Sequence, residues 1–145
     1  MLDLGQSEDQ SRQDWPLLSE VHFTRTSPVD SRYNCVAWAA AVTTRPWWPW
    51  TVPYYWPPEA PKEETVAAFG IAYQTLNYAV CEDGEQEEGF EKIVIYTDAG
   101  QVPTHVARQL EDGRWTSKLG DLKDIEHQSP QDLAGGIYGS PVLFM

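Results

Sequence analysis

In the second half of the chain short apolar-rich segments recur between turn residues. Lys92 to Thr97, Thr104 to Leu110 and Arg114 to Leu119 read as strands. Asp98-Ala99-Gly100 and Glu111-Asp112-Gly113 carry the turn chemistry that joins them into an antiparallel meander. Leu122 to His127 fits a bent strand or a helical turn. Ser129 to Leu133 fits a helical turn with a capping serine, and Pro141 to Met145 a closing strand. The first half has a longer period. Val36, Trp38, Ala39, Ala40 and Val42 predict a well-buried helix from Cys35 to Thr43-Thr44. Pro61 to Leu76 predicts a second helix, with Pro61, Glu63 and Glu64 in its first turn and Asn77 as its stop. Tyr78 to Cys81 reads as a short strand with Cys81 in the core, and Val21 to Thr24 as a weak extended segment with a half-exposed His22. Residues 1–20 are polar and acidic, a flexible arm, which leaves 21–145 as one domain. The expected class is α+β, with two helices packed on an antiparallel sheet of four to six strands.

Composition narrows the partners. A chain of 145 residues that is 41% hydrophobic holds one sizeable core. A net charge of -12 disfavours nucleic acid and anionic membrane, whose phosphates would be repelled, and favours a basic partner. The chain has no apolar run of membrane-spanning length, and its start lacks the basic-then-apolar order of a signal peptide. Two cysteines make no disulfide framework, so a reduced, cytoplasmic setting is expected, although a single Cys35–Cys81 disulfide would be compatible with the count. No cofactor or metal is expected. A zinc site from Cys35, Cys81, His105 and His127 matches no compact ligand spacing. The run Glu82 to Gly89 reads as a solvated acidic loop.

Pro46 to Pro58 is the least ordinary stretch. It holds Trp47, Trp48, Trp50 and Trp56, four of the seven tryptophans, with Tyr54 and Tyr55, and its prolines exclude a helix interior or a central strand. Two readings follow: a proline-stiffened cover closing a core, or the wall of a substrate groove, since Trp and Tyr suit surfaces with one wet side.

The candidate chemistry lies in Tyr33-Asn34-Cys35-Val36-Ala37. A polar loop leads into Cys35, placing its thiol at a helix start, where free N–H groups and the helix dipole favour the thiolate. Thr104-His105-Val106 puts a histidine on a later strand. A cysteine on a helix start and a histidine on a strand form the skeleton of a thiol hydrolase.

This order of elements resembles the papain-like superfamily, above all the small NlpC-type cysteine peptidases and amidases. The Tyr33-Asn34-Cys35 and Pro103-Thr104-His105 pieces, the Trp115-Thr116-Ser117-Lys118-Leu119-Gly120 strand and the Tyr138-Gly139 tail are also similar to those of short uncharacterised bacterial proteins. The resemblance implies that His105 takes the Cys35 proton and that the thiolate attacks an amide, ester or thioester carbonyl of a peptide or amide-containing substrate. In that family a third polar residue follows on the next strand. A three-residue Glu111–Gly113 loop with Gly113 left-handed puts Ser117 and Trp115 on the His105 face. A two-residue turn would bring Thr116 and Lys118 instead. Serine is a weak orienter of imidazole, so Gln109, His127 and Asp121 stay open as substitutes. Asn34 and Tyr33 are candidates for the second oxyanion donor beside the Cys35 N–H. The rival reading is a papain-like shell with degenerate chemistry, binding a protein partner through the Trp/Pro stretch, with Trp47, Trp48, Trp50, Tyr54, Tyr55 and Trp56 as its groove, and through its acidic surface.

Overall fold

The computed structural model describes Pro16 and residues 23–27, 30–119 and 124–145; the rest of the acidic arm, Val21, His22 and Asp121 lie outside these. The elements run β1 (Phe23–Arg25), α1 (Cys35–Ala39), α2 (Val66–Gln74), β2 (Ile93–Thr97), β3 (Pro103–Gln109), β4 (Trp115–Lys118), β5 (Asp124–His127), a 3-10 turn (Pro130–Leu133) and β6 (Ser140–Phe144). Among the described residues six strands form one antiparallel sheet in the order β1-β5-β4-β3-β2-β6. The meander β2-β3-β4 that the turn chemistry predicts lies at its centre, and β5 continues it. Of the segment Leu122 to His127, the described residues Asp124–His127 form a strand, and Leu122 and Lys123 lie outside the described residues. No helix of the described residues is long and apolar enough to cross a membrane.

The β3–β4 hairpin fixes the register on which the site depends. Leu110 N–H donates to Arg114 O at 2.7 Å, closing a three-residue loop in which Gly113 is left-handed at φ 89°. Arg108 therefore stands opposite Thr116, and Gln109 opposite Trp115.

Both helices are shorter than the hydrophobic pattern predicts. α1 stops after five residues because Ala41 turns left-handed at φ 61°. Val42 N–H then reaches back to Ala37 O and Ala41 N–H to Trp38 O, the paired closure of a Schellman end. α2 begins at Val66, since the Thr65 hydroxyl caps it by accepting from Ala68 N–H at 3.1 Å. Pro61, Glu63 and Glu64 therefore precede the helix. Asn77, at φ 70°, ends it by the same closure, with Tyr78 N–H on Tyr73 O. The Tyr78–Cys81 strand reduces to a single bridge between Cys81 and Phe144, and Cys81 is half-buried rather than in the core.

The sheet is covered on both sides. α1 packs on β3 and β4, and α2 on β2. Their side of the core gathers Cys35, Val36, Phe69, Tyr73, Ile93, Ile95 and Val106. The opposite side gathers Val94, Tyr96, Ala107, Trp115, Ile125, Leu133 and Tyr138. Tyr73 ties the two helices, its hydroxyl donating to Val36 O at 2.7 Å. On the far side the Tyr96 hydroxyl donates to Pro130 O at 2.6 Å, anchoring the 3-10 turn. Gly139, at φ 74°, threads the tail across β2; a Cβ there would meet Thr97 O at 2.0 Å. That close passage lays Tyr138 on the far side of the sheet.

Candidate functional site

Cys35 is the first residue of α1, as its polar lead-in predicts, but its thiol does not meet His105. The sulfur lies on the helix side, packed among the residues around Val106. His105 precedes Val106 in β3, so strand alternation turns its ring to the opposite side. There it stacks on Tyr138 at 4.1 Å between centroids and meets Tyr96 at 5.1 Å. Cysteine and histidine are thus separated by the sheet itself. Cys35 is only 6% exposed, and burial pushes its thiol up to about 11. A thiol in that state supplies almost no nucleophile near neutrality.

His105 instead joins Ser117 and His127 in a buried chain. His105 Nε2 lies 2.9 Å from Ser117 Oγ, which lies 2.8 Å from His127 Nε2, while His127 Nδ1 lies 2.8 Å from Ser129 O. The acceptors fix the protons. A carbonyl only accepts, so His127 carries its proton on Nδ1, and its Nε2 lone pair takes the single Ser117 hydrogen. Ser117 Oγ must then accept from His105 Nε2–H, leaving the His105 Nδ1 lone pair buried without a partner. Both rings are neutral. Burial, then the neighbouring His127, holds His105 well below 6.5; burial takes His127 to about 4. Ser117 does face His105, but it joins two imidazoles rather than orienting a general base. Gln109 shares that face and donates its amide to Gly84 O at 2.7 Å.

The oxyanion candidates have structural duties. Asn34 caps α1: its Oδ1 accepts from Ala37 N–H and Trp47 N–H, both at 3.0 Å, and its Nδ2 donates to Trp47 O at 2.7 Å. Every polar atom of the amide is used, and the α1 start is bound to the Trp/Pro stretch. The Tyr33 hydroxyl donates to Asp124 Oδ2 at 2.6 Å; burial and this carboxylate raise it to about 12. Of the four residues weighed as zinc ligands, His105 and His127 meet through Ser117 while Cys35 lies across the sheet, and among the described residues no group of three His, Cys, Asp or Glu is placed to hold a metal. Both cysteines are free.

The Trp/Pro stretch divides between cover and surface. Trp47 and Trp56 are buried, with Trp56 Nε1–H on Pro61 O at 2.9 Å. Tyr55 N–H donates to Pro46 O and Trp48 N–H to Tyr55 O, pinching the loop at its base. Tyr55 leans on Trp47. Trp48 sets its ring edge-on to Phe69 of α2, and Trp50, 62% exposed, stacks on Tyr54 at 5.9 Å. Between them opens a pocket of about 600 Å³ bounded by Tyr33, Asn34, Trp48, Trp50, Tyr54 and Glu64. The three ring residues Trp48, Trp50 and Tyr54 were legible as groove candidates. Glu64 was not, because it suits the first turn of a helix equally well; the Thr65 cap is the signal that frees it. Tyr138, the ring on His105, carried its signal in the adjoining Gly139.

Residues 24–145 match the family model described as Domain of unknown function (DUF7689). No curated protein and no solved structure matches the chain.

Proposed function

The chain belongs to the DUF7689 family, and we propose that this member is a binding module that holds a peptide segment of a protein partner in the aromatic pocket and performs no thiol chemistry. The observation that carries this reading is the separation of Cys35 from His105 by the sheet, with the thiol sealed and raised to about 11. The order of helix-borne cysteine, second helix and antiparallel strands supports a shell of the papain-like kind with degenerate chemistry. Two free cysteines suit a reduced, cytoplasmic setting.

The pocket supports binding on its own terms. Large aromatic faces supply contact area at little entropic cost, since each ring has two side-chain torsions to order. Trp48 is held by Phe69, and the loop base is pinned by Asn34, so the wall is set before a ligand arrives.

Selection from a random peptide display library tests the proposal. The wild-type protein should enrich a peptide class that the Trp50→Ala/Tyr54→Ala variant does not retain. An amide, ester or thioester substrate turned over by the wild type and spared by Cys35→Ala would overturn it.

A further inference from the structure

We infer that the aromatic pocket receives a cationic side chain, arginine or lysine, presented by an extended peptide. This inference rests on the binding reading above and names its ligand class. The pocket joins the rings of Trp48, Trp50 and Tyr54 to one carboxylate, Glu64, and no Lys, Arg or His is among the residues that line it. Ring faces carry the negative side of an aromatic quadrupole, so they attract a cation electrostatically as well as by area. Glu64 adds a full negative charge at the same opening. The amide of Asn34, also in the lining, has its Oδ1 committed to Ala37 and Trp47 and one Nδ2 hydrogen to Trp47 O, so it presents a ligand with no free acceptor and at most one N–H.

Two further observations point the same way. The same loop already holds a guanidinium against a ring outside the pocket: Arg45 Cζ lies 4.1 Å from the centroid of Tyr55. The whole chain has a net charge of -12, which draws basic segments toward it and repels acidic ones. A space of about 600 Å³ accommodates one long side chain with adjoining backbone.

The experiment uses Nα-acetylargininamide and its neutral isostere Nα-acetylcitrullinamide, followed through the indole N–H resonances of the full chain. The arginine compound should shift the Trp50 signal saturably, and the citrulline compound should bind at least about tenfold more weakly. Glu64→Gln should weaken the arginine compound about three- to tenfold, and Trp50→Ala should abolish its binding. Both side chains are exposed, so neither change threatens the fold. Equal binding of the two compounds, or an unchanged Glu64→Gln, overturns the cationic ligand and leaves a neutral peptide or sugar as the occupant. Silence toward both compounds also overturns it; the binding reading itself falls with it only if the peptide selection returns nothing retained by the pocket.

Discussion

The two sides of the sheet use their polar side chains in opposite ways. On the helix side, polar groups tie the fold to a surface: Asn34 clamps the α1 start to Trp47, and Tyr33 reaches Asp124 while also bounding the pocket. On the far side, His105, Ser117 and His127 are closed in among Tyr96, Tyr138 and Trp115 and bond chiefly to one another. Cys35 belongs to the first side and His105 to the second. A motif pair that looks catalytic along the chain is therefore divided by one step of strand alternation, and each half takes the character of its own layer.

The largest effect should come from forcing the far layer away from the sheet. Gly139→Ala must place a left-handed Cβ against Thr97 O, which should cost about 3–5 kcal/mol from backbone strain and overpacking. Denaturant unfolding measures it, and a cost below 1 kcal/mol would show that Tyr138 is not held by this passage.

Acid should distinguish the layers next. His105 and His127 have folded values below their unfolded 6.5, so the unfolded chain binds more protons as pH falls through that value. Their contribution to stability is complete above pH 6.5 and is lost progressively toward pH 4. From the His127 value near 4, that histidine alone accounts for about 3 kcal/mol of the loss. His127→Gln should flatten the pH dependence of unfolding between 6.5 and 4.5, a window above most carboxylate titration. An unchanged slope would mean that the histidines are not held neutral.

Ser117→Ala sharpens the same point. It leaves His105 Nε2–H and His127 Nε2 without their shared partner and should cost about 2 kcal/mol. A neutral result would mean the chain of bonds contributes little. The smallest effect lies on the helix side, where Ala41 holds a left-handed conformation that favours glycine. Ala41→Gly should stabilise by about 0.5–1 kcal/mol, seen as a raised denaturant midpoint.

The same positions explain what could be read in advance. The three-residue loop ending at Gly113 and the stop at Asn77 were legible because Gly and Asn mark left-handed backbone directly; in the β2–β3 turn the left-handed residue is Gln101 rather than Gly100. The end of α1 was hidden because an alanine fills that conformation at Ala41. The α2 start was obscured by Pro61, Glu63 and Glu64, which suit a first turn as well as the loop they occupy. The Cys35–His105 relation was beyond reach for a different reason. β3 is buried on both sides, with His105, Val106 and Ala107 all sealed. Alternation along such a strand says which residues share a side, but polarity no longer says which side the helices cover. Ser117 could be assigned to His105, since both lie in one hairpin; Cys35 could not.

Cys35 is a sealed core thiol with no imidazole beside it. Site-resolved alkylation of the folded protein with iodoacetamide, followed by mass spectrometry of Cys35 and Cys81 between pH 6 and 9, measures this directly. Cys81, half-buried near the surface, should be modified first, with Cys35 reacting only as the chain unfolds and at a rate indifferent to His105→Gln once matched for stability. Rapid modification of Cys35 near neutral pH, slowed by His105→Gln, would instead reveal an accessible thiolate coupled to His105.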